Sequence, residues 1–126
     1  MKAQKIAFTG IPVTDIKRAR AFYEGVLKLK PSAEFAEGVW IEYELGPDTL
    51  AIGSVGEQWK PSADGTSVAI EVEDFEAAIK SLKEAEAHFV AEGIESPCCR
   101  MAVVQDPDGN KLIIHKLKPE NEKGAC

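Results

Sequence analysis

No stretch of this chain is apolar for long enough to form a signal-peptide core or a membrane span, and Met1-Lys2-Ala3-Gln4-Lys5 leads into only a short apolar segment. The expectation is a cytoplasmic protein with no membrane partner. Positive charge is also scarce. Lys and Arg number 15 against 21 Asp and Glu, giving a net charge of −6 with no basic cluster. That balance argues against nucleic acid or an anionic lipid surface as a partner. Cysteine is too sparse for a disulfide framework. Cys98 and Cys99 are neighbours and Cys126 is the last residue, so the three read as reduced thiols. Histidine is limited to His88 and His115, which restricts the supply of the commonest metal ligand.

What is present is an ordinary globular balance, 44% hydrophobic and 29% charged over 126 residues, enough for one domain with a real core. The chain states one pattern twice. Val13-Thr14-Asp15-Ile16 followed by Ala19 is echoed by Val72-Glu73-Asp74-Phe75 followed by Ala78, at the same internal spacing. Each copy is an apolar strand, a capping residue and an amphipathic helix. A long repeat that occurs only twice suggests paired modules closing around a shared site rather than a solenoid. The first module spans about 5–54, a Gly- and Pro-containing linker 55–66, the second module about 67–117, and a polar tail 118–126 that reads as frayed.

Lys5 to Val13 alternates as a strand, with Ala7, Thr9, Ile11 and Val13 on one face and Ile6, Phe8 and Gly10 on the other. Thr14 or Asp15 caps a helix whose stripe is Ile16, Ala19, Phe22, Tyr23, Val26 and Leu27, and Pro31 stops it. Val39 to Leu45 and Thr49 to Ser54 are further strands. In the second copy Ser67 to Val72 is a strand, Phe75 to Leu82 a helix, and His88 to Val90, Cys99 to Gln105 and Lys111 to Leu117 are strands. The order is strand–helix–strand–strand–strand in each module: an α+β fold of two βαβββ modules. Each helix buries its stripe on one sheet face, and each large side chain buried contributes about 1.5–3 kcal/mol. The opposite strand faces are left to line a concave, mostly apolar pocket with helices on its outside. Its lining is expected to be Phe8, Gly10, Trp40, Glu42, Ala51, Ser67, Ala69, Met101, Ile113 and His115.

The run Val13-Thr14-Asp15-Ile16-Lys17-Arg18-Ala19-Arg20-Ala21-Phe22-Tyr23 with Val26-Leu27, together with Asp106-Pro107-Asp108-Gly109-Asn110 before the last strand, resembles the vicinal oxygen chelate superfamily. That superfamily includes glyoxalase I, bleomycin-resistance proteins and extradiol dioxygenases. The resemblance covers about Lys5 to Leu117 and implies curved mixed sheets around a cleft. Neither run is catalytic: Phe22-Tyr23 is helix packing, and the Asp-Pro-Asp-Gly-Asn run is turn chemistry. Function has to be argued from the pocket.

Enzymes of that superfamily carry metal ligands on the first and last strands of each module. The resemblance maps those positions to Phe8, Ser67, about Ala51, and Ile113. Phenyl, hydroxyl, methyl and sec-butyl groups do not make a transition-metal site, so no metal and no cofactor is expected. His115 shares the Ile113 face and is either a strand-end histidine at the rim or a pocket acid/base. Glu42 is either a solvated edge glutamate or a carboxylate in a partly apolar pocket, where such a group can exchange protons. Trp40 shares its face and offers a stacking surface, or fills an interface. The expected function is metal-independent binding of a small molecule. The alternative is a lyase- or isomerase-like, or glyoxalase/dioxygenase-type, enzyme with Glu42 or His115 as acid/base. The resemblance also implies a homodimer.

Overall fold

Both helices begin at a carboxylate. Asp15 and Asp74 have extended backbones, and each side chain accepts a hydrogen bond from a backbone N–H one turn on, from Arg18 at 3.1 Å and from Ala77 at 3.0 Å. Each bond satisfies a donor that a helix start leaves open. In this computed structural model, which describes residues 1–124, α1 (Ile16–Arg20) runs on into a wider π-type turn, Ala21–Val26, where the Leu27 N–H reaches the Phe22 carbonyl at 2.9 Å. The chain leaves the helix at Lys28, in the left-handed region at φ 63°. The stop therefore comes before Pro31, and Pro31 instead opens a strand.

The chain forms two units, Met1–Pro61 and the residues from Ser62 onward. The first holds β1 (Thr9–Pro12), β2 (Pro31–Phe35), β3 (Trp40–Leu45) and β4 (Asp48–Gly53), in the spatial order β1-β4-β3-β2. The second holds β5 (Val68–Glu71), α2 (Phe75–Glu84), β6 (His88–Glu95), β7 (Cys99–Gln105) and β8 (Lys111–Leu117), in the order β5-β8-β7-β6. In each unit the first and last strands pair in parallel and the other neighbours pair antiparallel. The fold is α+β with two four-stranded mixed sheets.

Several boundaries differ from the sequence reading. β1 is shorter than Lys5–Val13. Thr9 is level with Leu50 in the parallel register, which leaves Lys5 and Ile6 beyond the start of β4 with no backbone to pair with, and Ile6 is exposed. β2 carries no alternating signal. It is an edge strand, mostly exposed, and tolerates Pro at its first position. β6 runs to Glu95 rather than Val90 because β7 offers a longer partner. The tail is not frayed as far as Gly124: residues 120–122 form a short helical turn, and the Gly124 N–H bonds the Pro97 carbonyl at 2.9 Å. Cys98 is disulfide-bonded and Cys99 is free, so the expectation of reduced thiols fails at Cys98. Cys126 lies outside the described residues.

Strand alternation builds the cores as expected. Ile11, Ile41, Tyr43, Leu50 and Ile52 are buried on one face of the first sheet, together with Ala19, Phe22 and Tyr23 of the helix. Tyr23 stacks on Tyr43 at 6.3 Å. Leu112, Ile114, Ala102 and Val104 do the same in the second sheet, with Phe75 and Leu82 of α2. The Asp106–Asn110 turn is tied by its own side chains. Asp106 accepts from the Asp108 and Asn110 N–H groups and from the Asn110 side chain, each at 2.9 Å, while Gly109 takes φ 87°.

Tyr43 is fully buried, and its hydroxyl must find a partner there. It donates to Glu24 at 2.8 Å, and Arg20 donates to the same carboxylate oxygen at 2.6 Å. Burial, reinforced by the Glu24 charge, pushes the Tyr43 phenol up. Burial alone would raise the Glu24 carboxyl as well, but the bonds from Arg20 and Tyr43 outweigh it and hold the group below its ordinary 4.5. A folded-state pKa below the unfolded one gives stability that is present at neutral pH and lost as pH falls through the folded value. The advantage of the wild type over Glu24→Gln in urea unfolding should therefore be largest near neutrality and shrink as pH falls below 4.5. An advantage that does not change with pH would show that the Glu24 charge is not what matters.

Candidate functional site

In each sheet the face turned away from the helix is set by register. In the first unit one row runs Gly10–Ala51–Glu42, and the next runs Pro12–Gly53–Trp40. The Trp40 indole lies over Gly53, where a Cβ would fall 2.5 Å from Trp40 Cε3. Trp59, from the long connection, covers both glycines: a Cβ on Gly10 would fall 3.1 Å from its Cη2, and one on Gly53 3.1 Å from its Cζ3. The two indoles stack at 5.8 Å and 24°, and Phe8 meets Trp40 edge-on at 5.5 Å and 86°. Trp40 Nε1 donates to Glu42 at 3.0 Å. Missing side chains at Gly10 and Gly53 thus make room for an aromatic cluster, with one carboxylate held against it.

The second unit places different chemistry on the matching rows. Ala69–Ile113–Val103 is apolar, and the next row is Glu71–His115–Met101. There Glu71 Oε1 meets His115 Nδ1 at 2.5 Å, and Glu71 Oε2 accepts from the Leu117 N–H at 2.9 Å. Burial alone would push the Glu71 carboxyl up; these bonds outweigh it and keep the group below its usual range. The His115 side chain is 23% exposed.

A profile of the Glyoxalase/Bleomycin resistance protein/Dioxygenase superfamily matches residues 5–114. The chain belongs to that superfamily. Its fold is shared with solved structures at low identity. TnmS3, an antibiotic binding protein from Streptomyces sp. CB03234, is 19% identical with a TM-score of 0.78 over 94% of this chain and 99% of that one. A glyoxalase/dioxygenase from Nostoc punctiforme is 18% identical with a TM-score of 0.75 over 92% of each chain. An integron cassette protein from the mobile metagenome of V. cholerae is 21% identical with a TM-score of 0.71 over 92% and 97%. No curated protein matches the chain by sequence.

The positions that the superfamily's enzymes use for metal do not fit a cation here. Phe8 stands just before β1 and belongs to the aromatic cluster. Ala51 is fully buried in β4, Ser67 stands exposed just before β5, and Ile113 sits mid-strand in β8. None offers imidazole, thiolate or carboxylate. Among the described residues no three or more His, Cys, Asp and Glu gather as a potential metal site.

Within the first unit the structure brings together Phe8, Gly10, Trp40, Glu42 and Ala51; within the second, Ala69, Met101, Ile113 and His115 share one face. Two further residues belong with them. Trp59 packs on Gly10, Gly53 and Trp40; its place was not legible because it comes from a connection without periodicity. Glu71 is the partner of His115. Its strand parity put it on this face, but only the long-range parallel register shows that the two meet. Cys99 lies opposite Leu117 rather than His115 and meets the Ser96 hydroxyl at 3.1 Å. Arg100 lies over Phe75 at 4.6 Å and is paired with Glu76 and Glu95. His88 bonds Gln105.

The glycine notches give a direct test of this packing. Gly53→Ala should cost about 1–3 kcal/mol in urea unfolding, because the new methyl must displace a packed indole. Gly65→Ala is the control. Its new methyl would meet Ser62 at ordinary contact distance, 3.6 Å from the Cβ, so the change should stay within about 0.5 kcal/mol. Equal midpoints for the two variants would show that Trp40 does not rest on Gly53.

Proposed function

We propose that the chain is a metal-independent binding protein for a small apolar molecule, which it takes on a helix-free sheet face. The carrying observation is the set of side chains at the four family metal positions. Phe8, Ala51, Ser67 and Ile113 replace donors with hydrocarbon and one hydroxyl. The cluster of Phe8, Trp40 and Trp59 supports a planar ligand, since aromatic rings stack on flat π surfaces for about 0.5–1.5 kcal/mol beyond area burial. Likeness to the antibiotic binding protein TnmS3 supports the same class of activity. The net charge of −6 favours a neutral or cationic ligand over an anionic one.

The two modules, about 5–54 and 67–117, act on this reading as one domain of a cytoplasmic homodimer. Exposed Phe35 and Val39 in the first unit support pairing. No helix among the described residues is long and apolar enough to cross a membrane.

Titration of the purified protein with naphthalene, followed by tryptophan fluorescence, tests the reading. The expected result is saturable binding that neither EDTA nor added zinc alters. Trp40→Ala should weaken it severalfold, in line with the loss of one stacking partner. Absence of saturable binding, or binding that appears only with a stoichiometric metal by elemental analysis, overturns the proposal.

A second reading, an enzyme with Glu42 or His115 as acid/base, draws support from the Glu71–His115 bond, since an oriented imidazole is a competent proton acceptor. It requires turnover that His115→Ala or Glu42→Gln abolishes while folding stays intact.

A further inference from the structure

The geometry points to the Glu71–His115 pair as a recognition site for a weakly acidic hydroxyl, a phenol or an enol, on an otherwise apolar ligand. This rests on the binding reading above and names the polar group that such a ligand carries.

The pair is built from backbone outward. Parallel pairing of β5 with β8 sets Glu71 level with His115 on the helix-free face. Both oxygens of the carboxylate are committed, Oε2 to the Leu117 N–H and Oε1 to His115 Nδ1. A carboxylate only accepts hydrogen bonds, so Nδ1 carries the proton, and whenever the ring is neutral its lone pair is on Nε2. No partner reaches Nε2 among the described residues. Around it the face is apolar: Met101 lies opposite His115, and Ala69 and Ile113 form the adjoining row.

Each feature narrows the ligand. One free acceptor calls for a donor. A metal would need several convergent donors, and no group of three or more His, Cys, Asp and Glu gathers here among the described residues. An anion would meet the Glu71 charge. An aliphatic alcohol is a weaker donor than a phenol or enol, whose proton is more readily shared with imidazole. The proton lies between the ligand oxygen and Nε2, and no other bond is made or broken. The first module has nothing comparable on the matching row, where Pro12, Gly53 and Trp40 stand.

Para-phenylphenol and its methyl ether differ only in that donor. Calorimetric titration of the full chain should show the phenol binding about tenfold more tightly than the ether. The ratio should collapse to near unity in both His115→Phe and His115→Gln, and fall to an intermediate value in Glu71→Gln, where the Nδ1 tautomer is no longer enforced by a charge. Equal affinities in the wild type, or a preference that survives both His115 substitutions, overturn the inference while leaving the binding reading intact. Failure of both compounds to bind overturns the two together.

Discussion

Parallel pairing of the first strand with the last, β1 with β4 and β5 with β8, is the constraint on which the rest of each unit depends. Parallel neighbours cannot be joined by a tight turn, so a long connection must intervene, here a helix and two further strands. The pairing fixes which side chains of four strands stand level with one another. Because a strand alternates its side chains, a slip of one residue would move every core group to the outer face. Burial of Ile11, Leu50, Ile52, Ile41 and Tyr43 against the helix residues therefore also decides what the other face carries. Core and candidate site are two sides of one register.

The two units use this frame for different ends. On corresponding rungs the first carries Pro12–Gly53–Trp40 and the second Glu71–His115–Met101. Glycine on the first rung lets an indole lie flat against the backbone. Imidazole on the second brings a ring oriented by Glu71 to the corresponding rung. The asymmetry extends to the helix side. The buried Tyr43 hydroxyl is satisfied by Glu24, which Arg20 holds in turn, whereas Ala102 and Val104 make the second core apolar there. Duplication preserved the scaffold, and the side chains on it diverged.

Strands with clean alternation were legible without the structure. β3, β7 and β8 fall within one residue of the expected limits, and so do the caps Asp15 and Asp74. What escaped has physical causes. β2 is an exposed edge strand and has no buried face to leave a pattern. β1 starts only at Thr9, level with Leu50 of β4, and alternation over residues 5–8 does not show where pairing begins. Gly10 and Gly53 have no side chain to leave a pattern, and the group that closes on them is an indole of the same unit. Glu71 and His115 lie 44 residues apart. Each one's face was readable from parity, but their meeting depends on a register set by everything between them.

On the proposed reading, polarity on β8 has moved along the strand rather than vanished. Ile113 occupies the family's metal position, and the next residue on the same face is His115, one pleat repeat or roughly 6.6 Å further on. A chelating site needs several donors converging on one point. A hydrogen-bonding site needs one oriented ring, and its orientation comes from a carboxylate on the adjacent strand of the same module. The second arrangement asks less of the scaffold. It requires only the parallel pairing that already holds the sheet together.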